Sequence, residues 1–361
     1  MKKLEKHPED QMTPIERAEA IRKGESFDRM PVNLFIPDIK SKLIDCKVKD
    51  LYFDVDKIVE AEFRAYDDYG MDWLFTGPNS RGIAESLGAE VKYLDDDLPK
   101  IASYVLGDYG QMKGIEMNFS DNHPRIRLYH KVVESLSDGG AGIVNIGTSV
   151  GGPLTIASYL RGTETLLRDM RRNPEQLKQL LELIVQTQKR IVDAYKNIPG
   201  ITFALADPVA SGSLLPPKYF RAFAYPYLQE IVNYINHSAG HKPSLHMCGN
   251  VERIWPEIKS LDLSTFSIDN ASDIKQAVDY FSDKFTITGN VAPVEVMYKG
   301  SKQEVYQAVQ NCVERVYGDP SKATLGLGCD MPLRAPLDNI QHYMDAVRYY
   351  ASYEQVVRLY R

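Results

Sequence analysis

Residues 201–250 read ITFALADPVASGSLLPPKYFRAFAYPYLQEIVNYINHSAGHKPSLHMCGN. The stretch opens on a short apolar run, Ile201–Ala206, bounded by Asp207-Pro208. A segment of helical period follows, Pro217–Ser238, in which Pro226 is expected to kink or split the helix because it lacks an N–H and clashes with the preceding turn. The stretch closes on a second short run, Ser244–Cys248. Strand, helix and strand within about 50 residues make one βαβ unit, which implies a parallel sheet.

Outward from this unit the alternation continues. Strands are expected at Met30–Ile36, Asp72–Thr76, Ile143–Gly147, Ser264–Ile268, Phe285–Thr288 and Ala323–Leu327, giving eight in all. Helical patterns cover Thr13–Lys23, Asp56–Tyr69, Pro174–Lys196, Val251–Ser260, Asp273–Ser282, Lys302–Tyr317 and Pro336–Ala351. Thr13, Pro14 and Glu16 form an N-terminal capping signature for the first helix. Eight βα units predict a (β/α)₈ TIM barrel, with an open doubly wound sheet as the alternative. The gap from Leu87 to Leu136 is too long for a simple crossover. We read 88–136 as an insertion between the second and third strands, a hairpin-like flap over one barrel end, and 1–361 as a single barrel domain. Tyr104 and Tyr109 of the insertion are placed to close the site.

The 361 residues are 25% charged and 43% hydrophobic, with 43 Lys plus Arg against 49 Asp plus Glu and a net charge of −6. That balance excludes a basic nucleic-acid footprint. No run of about 18 apolar residues is present, and the charged start MKKLEKHPEDQ lacks the apolar core of a secretory leader. A cytoplasmic location with reduced thiols follows as the expectation. The four cysteines, Cys46, Cys248, Cys312 and Cys329, are then small buried residues, metal ligands or nucleophiles rather than disulfide partners.

In a (β/α)₈ barrel the segments after the strands meet at one mouth, where active sites are built. Here they are Thr148–Pro153, Asp207-Pro208, His246–Asn250, Asp269-Asn270, Gly289-Asn290 and Gly328-Cys329-Asp330. On a strand, positions i and i+2 face the same side, so His246 and Cys248 point together. Imidazole and thiolate can chelate one Zn²⁺, or form an ordinary buried pair. Cys329, at the end of the last strand, is the candidate third ligand. Three protein ligands with an open fourth position mark a catalytic zinc site, and two thiolates balance the ion's charge. Such a centre suits activation of a thiol for alkyl transfer. Asp269 is the candidate fourth partner, as ligand or as a group orienting His246. Asn33, Asn145, Thr148, Asp207 and Asn290 are candidate substrate-binding residues by position. Cys46 and Cys312 read as ordinary.

Other patterns exclude chemistry. His237 and His241 are spaced i, i+4 but lack the glutamate of a zinc-protease helix. The Gly147–Pro153 segment matches neither a dinucleotide fingerprint nor a phosphate-binding P-loop.

With these residues identified, the chain resembles the uroporphyrinogen decarboxylase superfamily over nearly its whole length. The resemblance runs through Thr13–Arg17, Asp28–Pro31, Gly151–Thr155, Ala157–Leu160, Asp207-Pro208, Ser211-Gly212, Gly289–Val291 and Pro336–Ile340. It implies a (β/α)₈ barrel. The true decarboxylases carry Arg-Gln-Ala-Gly-Arg-Tyr after the first strand, for substrate carboxylates. This chain has Leu34–Lys40 there, without arginine. The zinc-dependent cobamide methyltransferases of the superfamily carry His-x-Cys-Gly after the fifth strand and a cysteine after the eighth, matched here by His246, Cys248, Gly249 and Cys329. Their glutamate after the sixth strand corresponds to Asp269.

The resemblance therefore implies methyl transfer between a corrinoid protein and a small substrate. That substrate is a thiol such as coenzyme M, or a methylated donor such as an aryl methyl ether or methylamine. Corrinoid carriers use D-x-H-x-x-G to ligate cobalt, and Asp121–Ile126 lacks the glycine. The cobamide is thus expected on a separate corrinoid protein docked at the barrel mouth. A decarboxylase-like lyase and a non-catalytic corrinoid- or thiol-binding protein are the alternatives.

Overall fold

The structure is a computed structural model that describes residues 2–118, 122–316 and 320–359. Its strands are β1 (Val32–Asn33), β2 (Trp73–Thr76), β3 (Glu90–Lys92), β4 (Lys100–Ser103), β5 (Asn145–Ser149), β6 (Ile201–Ala206), β7 (Ser244–Met247), β8 (Thr265–Ile268), β9 (Thr286–Val291) and β10 (Ala323–Leu327). Eight of them form one sheet in the order β1-β10-β9-β8-β7-β6-β5-β2. These eight parallel strands, with helices between them, make a nearly closed (β/α)₈ barrel. β3 and β4 pair antiparallel outside it.

The expected strands are present, with shifted edges. β6 and β10 coincide with the sequence reading. β1 shortens to two residues, and the chain turns after Pro37 into a 3₁₀ segment, Asp38–Leu43. β5 starts two residues late: the N–H groups of Ile143 and Val144 both donate to Gly140 O, closing the preceding helix. It then runs on to Ser149, and β9 runs on to Val291. The Pro217–Ser238 helix is split as expected, into Pro217–Phe223 and Tyr225–Ala239 with Pro226 in the first turn of the second.

The chain divides into two compact units: Met1–Phe75 with Ser135–Ile146 and Thr265–Arg361, and Thr76–Glu134 with Gly147–Ser264. The first is built on a buried ion cluster. Arg17 and Arg29 are 0% and 1% exposed. Arg17 pairs with Asp28 (2.7 Å), Asp10 (3.0 Å) and Asp72. Arg29 pairs with Asp10 and Asp72, each at 2.7 Å. Asp72 also accepts the Val32 backbone N–H at 2.8 Å. Buried charges are tolerable only when paired in this way.

The second unit is held by apolar helix packing. The 22-residue helix Pro174–Tyr195 buries Leu177, Leu180, Leu181, Ile184, Val185, Ile191 and Val192, a stripe of helical period. It packs against Tyr225–Ala239. Within 88–136 the structure shows the β3–β4 pair, helix Met112–Asn118, and the start of helix Pro124–Gly140, which buries Val132, Val133 and Leu136. Asp121, which opens the D-x-H-x-x-G-like stretch, and Tyr317 lie outside the described residues.

Candidate metal centre

The alternation along β7 aims its side chains. Leu245 and Met247 are 1% and 0% exposed, while Ser244 and His246 on the other face are half-buried. Cys248 follows in the same phase, and His246 Nε2 lies 3.3 Å from Cys248 Sγ. The chain then reverses at Gly249, whose φ of +71° favours glycine. Cys329 follows β10 after Gly328, where a Cβ would meet Asn270 N, so only glycine admits the close approach.

His246, Cys248 and Cys329 are each half-buried, and their three ligand atoms lie within 4.8 Å of one another. They are the only such group of three or more His, Cys, Asp or Glu among the described residues. Bond lengths of 2.0 to 2.3 Å and tetrahedral angles separate ligand atoms by roughly 3.5–3.8 Å. The observed separations therefore need only small side-chain adjustments to fit one ion. One imidazole and two thiols form a borderline-soft donor set suited to Zn²⁺. None of the four cysteines is in a disulfide.

Asp269 is not part of this group. Its Oδ1 accepts the Ala271 N–H at 2.8 Å. Its loop is held by Asn290, whose Nδ2 donates to Asp269 O (3.0 Å) and Ser272 O (2.7 Å). Asp207 is fully buried, its carboxylate accepting from Leu154 N (3.2 Å), Thr155 N (2.8 Å) and Thr155 Oγ1 (2.7 Å). Burial pushes its carboxyl up to about 6, against three hydrogen bonds that favour the charged form. Its backbone N–H donates to His246 O at 3.1 Å.

Thr148 is also fully buried and donates to Gly77 O at 2.6 Å. Asn33 is half-buried on β1. Asn145 is the first residue of β5, at the opposite end of that strand from Ser149. The later start of the strand puts it there. Tyr109 is engaged elsewhere, donating to Asp169 at 2.9 Å under the Arg161 guanidinium, and Tyr104 is exposed. His241 stacks on Phe203, and His237 Nδ1 contacts Asn233 O. The sequence reading missed Thr155 and Ser213. Their hydroxyls serve backbone and carboxylate partners distant in sequence, which spacing does not reveal.

The family model described as "Uroporphyrinogen decarboxylase (URO-D)" matches residues 13–350. The chain belongs to this family. Among its relatives is the methylcobamide:CoM methyltransferase MtbA of Methanosarcina acetivorans, 22% identical over 343 residues, covering 94% of this chain and 98% of that one. The methylated-thiol–coenzyme M methyltransferase of Methanosarcina mazei is 21% identical, covering 94% and 90%. Among solved structures, a methyltransferase from Methanosarcina mazei superposes with a TM-score of 0.82 at 20% identity, covering 94% of this chain and 99% of that one. At that identity the superposition speaks for the fold alone. No helix among the described residues is long and apolar enough to cross a membrane.

Proposed function

We propose that this chain is a zinc-dependent methyltransferase. It moves a methyl group between a corrinoid protein and a small substrate, either a thiol such as coenzyme M or a methylated donor. The observation that carries the reading is the convergence of His246, Cys248 and Cys329. In this reading the three residues hold Zn²⁺ and leave one position open. Bound there, zinc supplies Lewis acidity, lowering the pKa of a substrate thiol or polarising a methylated heteroatom.

With Cys248 and Cys329 as thiolates and His246 neutral, the three residues would offset the charge of the ion, so a substrate thiolate held there would keep its nucleophilicity. In the thiol direction the substrate sulfur attacks the methyl carbon of the methyl–Co(III) corrinoid. A C–S bond forms, the Co–C bond breaks, and its electron pair stays on cobalt as Co(I). The thiol proton leaves to solvent. The cobamide arrives on a separate corrinoid protein at the barrel mouth. The whole chain acts as one domain in the cytoplasm, with 88–136 covering the site, and Asp269, Asn33 and Asn290 are proposed to line it.

The lyase alternative has less support. Asp207, one of its two candidate acids, has both carboxylate oxygens engaged. The segment Leu34–Lys40 has no arginine, and its one cation, Lys40, is buried against Glu62. The test is to measure zinc in the purified protein and follow the corrinoid spectrum. Methyl-corrinoid protein is mixed with a panel of thiols, and Co(I) protein with methylated donors. One zinc per chain and conversion of the cobalt spectrum in one direction are expected, with both lost in Cys248→Ala. A metal-free protein whose Cys248→Ala variant keeps full activity defeats the proposal. Zinc binding without any change at cobalt leaves the non-catalytic reading standing instead.

A further inference from the structure

The proposed zinc site hangs on a strand end, and that end is gripped by the loop after β6. Asn250 N donates to Ser213 Oγ at 3.0 Å, and Ser213 N donates to Ser211 Oγ at 3.2 Å. A turn shapes this loop, with Leu214 N and Leu215 N both donating to Ser211 O (2.9 and 2.8 Å). The two loops touch through their glycines. A Cβ on Gly249 would run into Ser213 Oγ and lie 3.0 Å from Ser211 Oγ, and one on Gly212 would lie 2.6 Å from Asn250 O. On the other side of Cys248, the Asp207 N–H holds His246 O. Cys248 is thus the middle residue of a segment pinned on both flanks by the chain that leaves β6.

We infer that Ser213 is a positioning residue for Cys248. Its hydroxyl fixes the Gly249–Asn250 reversal and so sets the direction from which the Cys248 sulfur meets the metal. The inference rests on the zinc reading and goes beyond it, because Ser213 is itself no ligand. Metal ligands must be held to within about 0.5 Å by surrounding groups for a site to bind well. The loss of a supporting hydrogen bond commonly costs 10–100-fold in affinity. Ser213→Ala removes the acceptor for Asn250 N–H while leaving all three ligands in place.

The experiment uses the full chain. Zinc affinity is measured by competition with a chromophoric chelator, the thiolate-to-metal absorption is recorded on the Co²⁺-loaded protein, and thermal unfolding is followed on the metal-free protein. Ser213→Ala is expected to unfold within a few degrees of the wild type, to bind Zn²⁺ roughly 10–100-fold more weakly, and to show a shifted Co²⁺ spectrum. Ser213→Thr keeps the oxygen and restores both readouts. Wild-type affinity and spectrum in Ser213→Ala overturn the positioning role alone. So does a large loss of metal-free stability with an unchanged Co²⁺ spectrum, which would make Ser213 a packing residue. A wild-type protein that binds neither ion overturns the zinc reading, and this inference with it.

Discussion

At the scale of single residues, the three gathered ligands and Asp269 make separable demands. His246, Cys248 and Cys329 converge, whereas the Asp269 carboxylate accepts the Ala271 N–H within its own loop. If the three suffice for zinc, Asp269→Ala keeps one zinc per chain and loses less than about tenfold in affinity. Cys329→Ser replaces a thiolate by a weakly acidic hydroxyl and should abolish stoichiometric zinc. Metal analysis after dialysis against a mild chelator separates the two outcomes. His246 and Cys248 were legible from sequence because a strand's two-residue period puts them on one face. Cys329 was legible because eight counted strands place it at the end of the last one. The same positional reasoning makes Asp207 a pocket residue. Its burial depends on Gly152, where a Cβ would collide with the Asp207 side chain, and no count of strands reveals that.

At the scale of elements, Asp207 links three pieces. Its carboxylate accepts the N–H groups of Leu154 and Thr155 at the start of helix Pro153–Arg161, and its backbone N–H holds the end of β7. It acts as a helix cap supplied from a different strand, since Gly152, the residue before the helix, has no side chain to cap with. Because the capping group is 53 residues from the helix start, sequence inspection marked no helix there.

The pH dependence follows from burial. The folded-state pKa of Asp207, about 6, lies above the ordinary aspartate value of 3.8. A carboxyl raised in this way favours the fold most when protonated. Its contribution is complete below about pH 4 and is lost as pH rises through 6. Asp207→Asn should be less stable than wild type at pH 4, through poorer capping. The gap should narrow by pH 7, by on the order of 3 kcal/mol for a shift of about two units. Urea midpoints at the two pH values check this, and a gap that stays constant rules it out.

At the scale of the whole molecule, the question is what closes the barrel. β1 and β2 stand at the two ends of the sheet order, so the ladder does not join them. The eight-strand count was readable from sequence, but this seam was not, because it is made by side chains rather than by a strand pattern. Asp72, one residue before β2, accepts the backbone N–H of Val32 in β1 and pairs with Arg29 and Arg17. Arg348, from the helix Asp338–Tyr350, joins through Asp10 at 3.0 Å. The first helix, both seam strands and the last long helix thus share one cluster, in which Arg17, Arg29 and Arg348 offset Asp10, Asp28 and Asp72.

Removing one partner of such a cluster leaves a buried charge uncompensated, at a cost of about 3–5 kcal/mol. Asp72→Ala should therefore destabilise the fold far more than Asp97→Ala, whose exposed carboxylate pairs with Lys100 and accepts the Leu98 N–H and whose loss should cost about 1 kcal/mol. The same cluster sets the acid limit. The neighbouring Arg29, Arg17 and Arg348 outweigh burial and hold the Asp10 carboxyl down to about 2. A depressed carboxyl stabilises the fold above its unfolded value near 4, and that contribution is lost as pH falls toward 2. Unfolding free energy should thus fall steeply from pH 4 to pH 2 in the wild type. The slope should be shallower in Asp10→Asn, which has already lost the ionisable partner. Equal slopes in the two proteins would show that the seam is not what titrates.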